Sequence, residues 1–246
     1  VRLWKMSVAA ATMACCLAST LSHAAIVITG TRVVYPESSR EVNVRLTNVE
    51  QSPVLVQAWI DDGNAGASPN EIKVPFVLMP PVFRVEPKKG QTLRVMYTGD
   101  DLPKDRESVY WLNVLEIPPK PTEAADQNLL QLAFRTRIKL FFRPSALEDG
   151  NAAQAREQLT WKVVRNDKGV SVLRAENRSP YYISISQATV KSGDRSVRLD
   201  PGMVAPFGSR EFVSKQDISR LSAHAEISYK LLNDYGAEVA GTATAE

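Results

Sequence analysis

The sequence predicts an all-β protein built as two antiparallel sandwiches in tandem. Short apolar–polar alternations recur every 10–15 residues, set apart by Pro, Gly, Asn and Asp. They fall into two groups of about seven, each over roughly 100 residues, which is the size of an immunoglobulin-like domain. Helical periodicity is nearly absent. The one helix-like stretch, 146–158, holds Glu148, Asp149, Gly150 and Asn151 and suits a linker. The 246 residues, 44% apolar and 23% charged, suffice for real hydrophobic cores and exclude disorder as the main state.

Taken in order, the chain opens on an export signal. Arg2 and Lys5 are the only charges before Arg32, and an uncharged apolar run covers 6–21. Ser22-His23-Ala24 puts small residues where a signal peptidase reads, so cleavage after Ala24 is expected. The run falls short of the ~20 apolar residues that span a bilayer. Cys15-Cys16 invites a lipoprotein reading, but Thr12-Met13-Ala14 fits that pattern poorly. The first sandwich takes strands at 26–35, 41–48, 54–60, 76–79, 92–97, 109–117 and 129–142. Val42, Val44 and Leu46 alternate with Glu41, Asn43 and Arg45, as one-sided burial requires. The second takes 159–165, 170–177, 181–186, 196–199, 210–213, 225–232 and 238–242. Pro144 ends the last strand of the first unit. The expected divisions are 1–24, 25–147 and 148–246.

Composition excludes most chemistry. Without Arg2 and Lys5, 28 basic residues face 27 acidic ones, which gives no case for nucleic acid. Both cysteines fall in the signal, so the mature chain has no disulfide and no thiol nucleophile. His224 is its one histidine, expected within a strand alternating over 224–229; zinc sites and histidine triads need more. The glycines at 63, 66, 193, 202 and 208 are scattered, with no nucleotide loop. Asp61-Asp62 and Asp100-Asp101 are expected to be solvated turn residues. No enzyme, metal or cofactor is expected.

Residues 128–143 stand apart. They allow a strand of up to 15 residues, against a usual 5–6. Leu130, Leu132 and Phe134 alternate on one face, and Arg135, Arg137 and Lys139 on the other. Two readings are open: a central strand with a solvated basic face, or an edge strand that lends its apolar row to another chain.

Several segments together resemble the periplasmic fimbrial chaperones, the PapD-like proteins of chaperone–usher pilus assembly. They are 106–119 (Arg-Glu-Ser-Val-Tyr-Trp-Leu-Asn-Val-Leu-Glu-Ile-Pro-Pro), 138–144 (Ile-Lys-Leu-Phe-Phe-Arg-Pro), Ala58-Trp59, 179–183 (Ser-Pro-Tyr-Tyr-Ile) and 233–236 (Asn-Asp-Tyr-Gly). That family is itself a standing example of the sandwich architecture and of strand addition. The resemblance implies a boomerang of two immunoglobulin-like domains around a cleft. It implies pilus subunits and an outer-membrane usher as partners, a periplasmic location, and no nucleotide. Arg32 and Lys139 match the family's anchor for the C-terminal carboxylate of a pilus protein. Leu130, Leu132 and Phe134 match the row donated into that protein's incomplete sandwich. Glu107, Arg143 and Asp234 match an interdomain salt-bridge network. The short, Cys-free 120–127 loop resembles the short-loop subclass. A homodimer that hides the donor strand of the free protein also fits this picture. The alternative is a structural or adhesive surface sandwich, for which the small, polar 240–246 tail is a poor self-complementing strand. Parity puts Lys139 opposite the apolar row, so the resemblance requires either a bulge in this strand or a cleft on the basic side.

Overall fold

The computed structural model describes residues 25–117, 132–150, 152–166, 169, 171–192, 195–212, 214 and 224–246. The chain forms two tandem immunoglobulin-like β-sandwiches. In the first, one sheet has the order β1-β3-β7-β5: Ile26–Ile28, Val42–Asn48, Gly90–Tyr97 and Phe76–Met79. The other runs β2-β9-β8-β4-β6: Arg32–Pro36, Phe134–Arg143, Ser108–Ile117, Val54–Asp61 and Val82–Val85. In the second sandwich, β10 (Leu159–Arg165), β11 (Ser171–Asn177) and β15 (Ser209–Phe212) face a sheet ordered β13-β12-β16-β17. Those are Arg195–Leu199, Ile183–Ser192, Glu226–Leu232 and Glu238–Thr244, with β14 (Gly202–Val204) also on β12. Among the described residues, the 146–158 stretch holds 3-10 turns, Ser145–Leu147 and Ala152–Gln158.

Each sandwich has its own core. The first stacks Tyr35, Phe76, Tyr97 and Phe142 among Val, Leu and Ile from both sheets. The second centres on Trp161, with Phe212 and Tyr229 against it. A buried asparagine ends β3 and another ends β11: Asn48 and Asn177 donate to two carbonyls apiece and accept one or two local donors. That satisfies the strand corner internally.

Several expectations change. The segment expected as one strand over 26–35 is two. β1 pairs with β3 in one sheet; Gly30, at φ +99°, redirects the chain; β2 then pairs parallel with β9 in the other sheet. Strands β6 and β14, of 4 and 3 residues, are too short to show alternation. His224 sits in an exposed turn ahead of β16 rather than in it, because pairing with β17 begins only at Glu226. Asp61 is fully buried, unlike exposed Asp62, because it ends β4 rather than lying in the turn.

Candidate functional site

The Gly30 crossover sets the site. It brings β2 alongside β9 so that Arg32 and Lys139 are register partners on adjacent parallel strands. Both lie on the face turned away from the first core and toward the second domain. The Arg32 Nη1 donates to the Leu232 carbonyl at 3.0 Å, and its guanidinium carbon lies 5.7 Å from the Phe141 ring centre. Arg32 Nε is buried and has no hydrogen-bond partner among the described residues. Lys139 Nζ donates to Ser184 Oγ at 3.2 Å. Neither cation has an ion-pair partner among the described residues. Burial lowers Arg32, with Asp234 and Glu107 opposing. Burial, then the charges of Arg32 and Arg210, lowers Lys139 to about 8. Two adjacent half-buried cations with an unused N–H form a receptor for an anion; a guanidinium fork and an ammonium suit a carboxylate.

Beside them, the structure brings Glu107, Arg143 and Asp234 together. Arg143 donates to Glu107 Oε1 from Nε at 2.9 Å and from Nη2 at 2.8 Å. It also donates to both Asp234 oxygens, at 2.8 and 3.1 Å. The Tyr182 N–H satisfies the other Glu107 oxygen at 2.8 Å, and the Glu107 N–H donates to the Pro180 carbonyl at 2.9 Å. Burial pushes Glu107 up against the pull of Arg143. Burial lowers Arg143, but its bonds to Asp234 and Glu107 outweigh this and leave it raised. The network therefore ties the end of β9 to the β16–β17 turn and to the loop before β12. A cavity of about 160 Å³ lined by Arg32, Phe141 and this network adjoins one of about 210 Å³ lined by Ser184, Ile183 and Leu231.

The cleft resolves the parity question. β9 pairs with β8 without a bulge from Phe134 to Phe142. Ile138, Leu140 and Phe142 fill the core, while Arg137, Lys139 and Phe141 point the other way. The cleft lies on the basic side. Strand β9 is central along one part and flanked on one side along the other. From Lys139 onward it is central, between β2 and β8; over Phe134–Ile138 the described residues pair it with β8 alone. Phe134 and Leu132 lie at that open end, 39% and 56% exposed. Leu130 and the 120–127 loop fall outside the described residues.

The basic face is not simply solvated. Arg137 donates to both oxygens of buried Asp61 and lies over the Trp111 ring. Arg135 donates to Asn113 Oδ1 at 2.9 and 2.6 Å and lies over Trp59. Asn113 in turn donates to Asp61 at 2.7 Å. Sequence reasoning missed this polar web, and also Ser184 and the Leu232 carbonyl. The one signal for it was the parity of Trp59, Trp111 and Asn113, which are cross-strand neighbours only once the register is known.

Two tandem sandwiches, a cationic cleft between them and a half-unpaired strand leading into it define a binding and assembly protein. The chain belongs to the PapD family of pilus-assembly chaperones. Residues 25–148 match the model of the pili and flagellar-assembly chaperone PapD N-terminal domain, and 154–243 that of the pili assembly chaperone PapD C-terminal domain. It is 45% identical over 232 residues to the probable fimbrial chaperone YadV of Escherichia coli K12, covering 93% of each chain. It is 42% identical to the chaperone FimB/FhaD of Bordetella pertussis, covering 95% of this chain and 94% of that one. The crystal structure of the YadV chaperone superposes with TM-score 0.76 at 41% identity, over 90% of this chain and all of that one. A chain of the Salmonella enterica SafA pilin–SafB chaperone complex gives 0.74 at 25% identity, over 92% and 98%.

Proposed function

We propose that this chain is a periplasmic chaperone that caps pilus subunits by lending them a strand and holds their C-terminal carboxylate at Arg32 and Lys139. One observation carries the site assignment: two register-paired, half-buried cations that have no carboxylate partner among the described residues, one of them with a buried N–H unused there. The exposed Phe134 opens the same strand, and the exposed Leu132 lies just ahead of it. The carboxylate fixes register, since a one-residue slip turns the apolar row away from the bound pilin. The row of Leu130, Leu132 and Phe134 supplies most of the free energy, roughly 1.5–3 kcal/mol per buried side chain before association costs. Glu107, Arg143 and Asp234 hold the domains at the angle the cleft needs. Residues 25–147 and 148–246 act as the two units after a signal ending at Ala24 is removed. An outer-membrane usher receives the complex, and a self-capped dimer protects the free donor strand. Both the short-loop subclass and a non-enzymatic role fit this reading.

The test is co-purification from periplasm with candidate pilus subunits, wild type beside Arg32→Ala and Lys139→Ala. A 1:1 complex lost by both variants is expected. Equal retention by all three would remove the cleft cations from the anchoring role.

A further inference from the structure

Glu116 is a carboxylate on the core side of β8, 3% exposed, paired across to Val56 on one side and Phe134 on the other. Among the described residues no basic side chain reaches it, and the charge acting on it is another acid, Glu50. A buried carboxylate without a counter-charge is costly. Its partners are backbone N–H groups, those of Ile26 and Ala25, and the Ala25 N–H donates to Oε2 at 2.8 Å. Ala25 is pinned on its other side as well, because the Val49 N–H donates to its carbonyl at 2.8 Å. Ala25 is also the residue that cleavage after Ala24 would leave first.

We infer that Glu116 is the receptor for the new N-terminus: once the signal is removed, the α-ammonium of Ala25 forms a buried ion pair with it and completes the first sandwich. Hydrolysis of the Ala24–Ala25 peptide turns one neutral donor into a cation with three N–H groups, at a point where the fold already holds an acceptor. The uncleaved chain has only the amide there. Processing therefore adds the counter-charge that Glu116 lacks, and the mature chain is more stable than its precursor. This rests on the cleavage reading above.

The exported protein is purified and its intact mass measured; a chain starting at Ala25 is expected. Its α-amine is then acylated at neutral pH beside two others: the Glu116→Gln variant, and a chain with one extra glycine ahead of Ala25. The wild-type amine should react about tenfold more slowly than either, since a one-unit rise in amine pKa removes nine-tenths of the free amine. The extended chain keeps the Ala25 N–H bond, so it serves as the comparison even where Glu116→Gln folds poorly. A start at another residue overturns the cleavage reading, and the ion pair with it. A start at Ala25 with equal rates in all the chains overturns the ion pair alone.

Discussion

At the scale of single residues, Lys139 carries the clearest signal. Its ammonium is depressed to about 8 by burial and by neighbouring Arg32 and Arg210. A carboxylate ligand needs the protonated form, so the sign is fixed. Affinity for a peptide bearing a pilin's C-terminal sequence should hold at pH 7 and fall as pH rises through about 8, toward a tenfold loss per unit above it. Lys139→Arg, always charged, should flatten that profile in a calorimetric titration. A profile equally flat in wild type would mean that Lys139 does not meet the carboxylate. Asp61 makes a second case. Its carboxylate has no exposed area and serves Arg137, Asn113 and the Gly63 N–H. Asp61→Ala strands these donors, and since Arg137 is still 24% exposed the cost should be about 3 kcal/mol, the low end for broken buried pairs. Urea unfolding checks it; a change under ~0.5 kcal/mol would mean that water replaces the carboxylate.

At the scale of elements, β9 divides by its neighbours. Its C-terminal half is locked between two strands and fills the core, whereas its N-terminal end presents Phe134 and, just ahead of it, Leu132 to solvent. Substitution should therefore separate folding from binding. Leu132→Asp should leave the melting curve unchanged and weaken pilin binding about 10- to 100-fold, while Leu140→Asp, at the fully buried position, should unfold the domain. A melting loss at Leu132 would show that the residue is structural. The β1–β2 crossover is equally local. Gly30 has room for a Cβ but holds φ at +99°, so Gly30→Ala should cost about 1–3 kcal/mol through the backbone alone.

At the scale of the whole molecule, the cleft exists because two separately cored sandwiches meet over a few polar contacts and ring contacts such as Phe141 with Tyr182. Arg143 bridges Glu107 and Asp234, and Gly236 approaches Thr31 so closely that a Cβ there would collide with the threonine hydroxyl. Buried networks of this kind fix geometry more than they add stability. Asp234→Asn should leave both domains folded, broaden the interdomain distance distribution in solution scattering, and weaken pilin binding. Unchanged scattering with unchanged binding would leave the network no orienting role.

The sequence determined the class. Two runs of period-2 alternation, few helical stretches and a single histidine after residue 24 are composition and spacing, properties a chain carries before it folds. The core face of β3 was legible because one-sided burial writes itself as alternation. Tertiary structure decided what no local pattern encodes. That Arg32 and Lys139 are neighbours follows from a sheet switch at one glycine. That Arg137 is tied to Asp61 depends on cross-strand register. That Glu116 faces Ala25 depends on where two segments 91 positions apart close the sandwich. Alternation reports which face a residue takes, and only the closed fold reports what lies across from it.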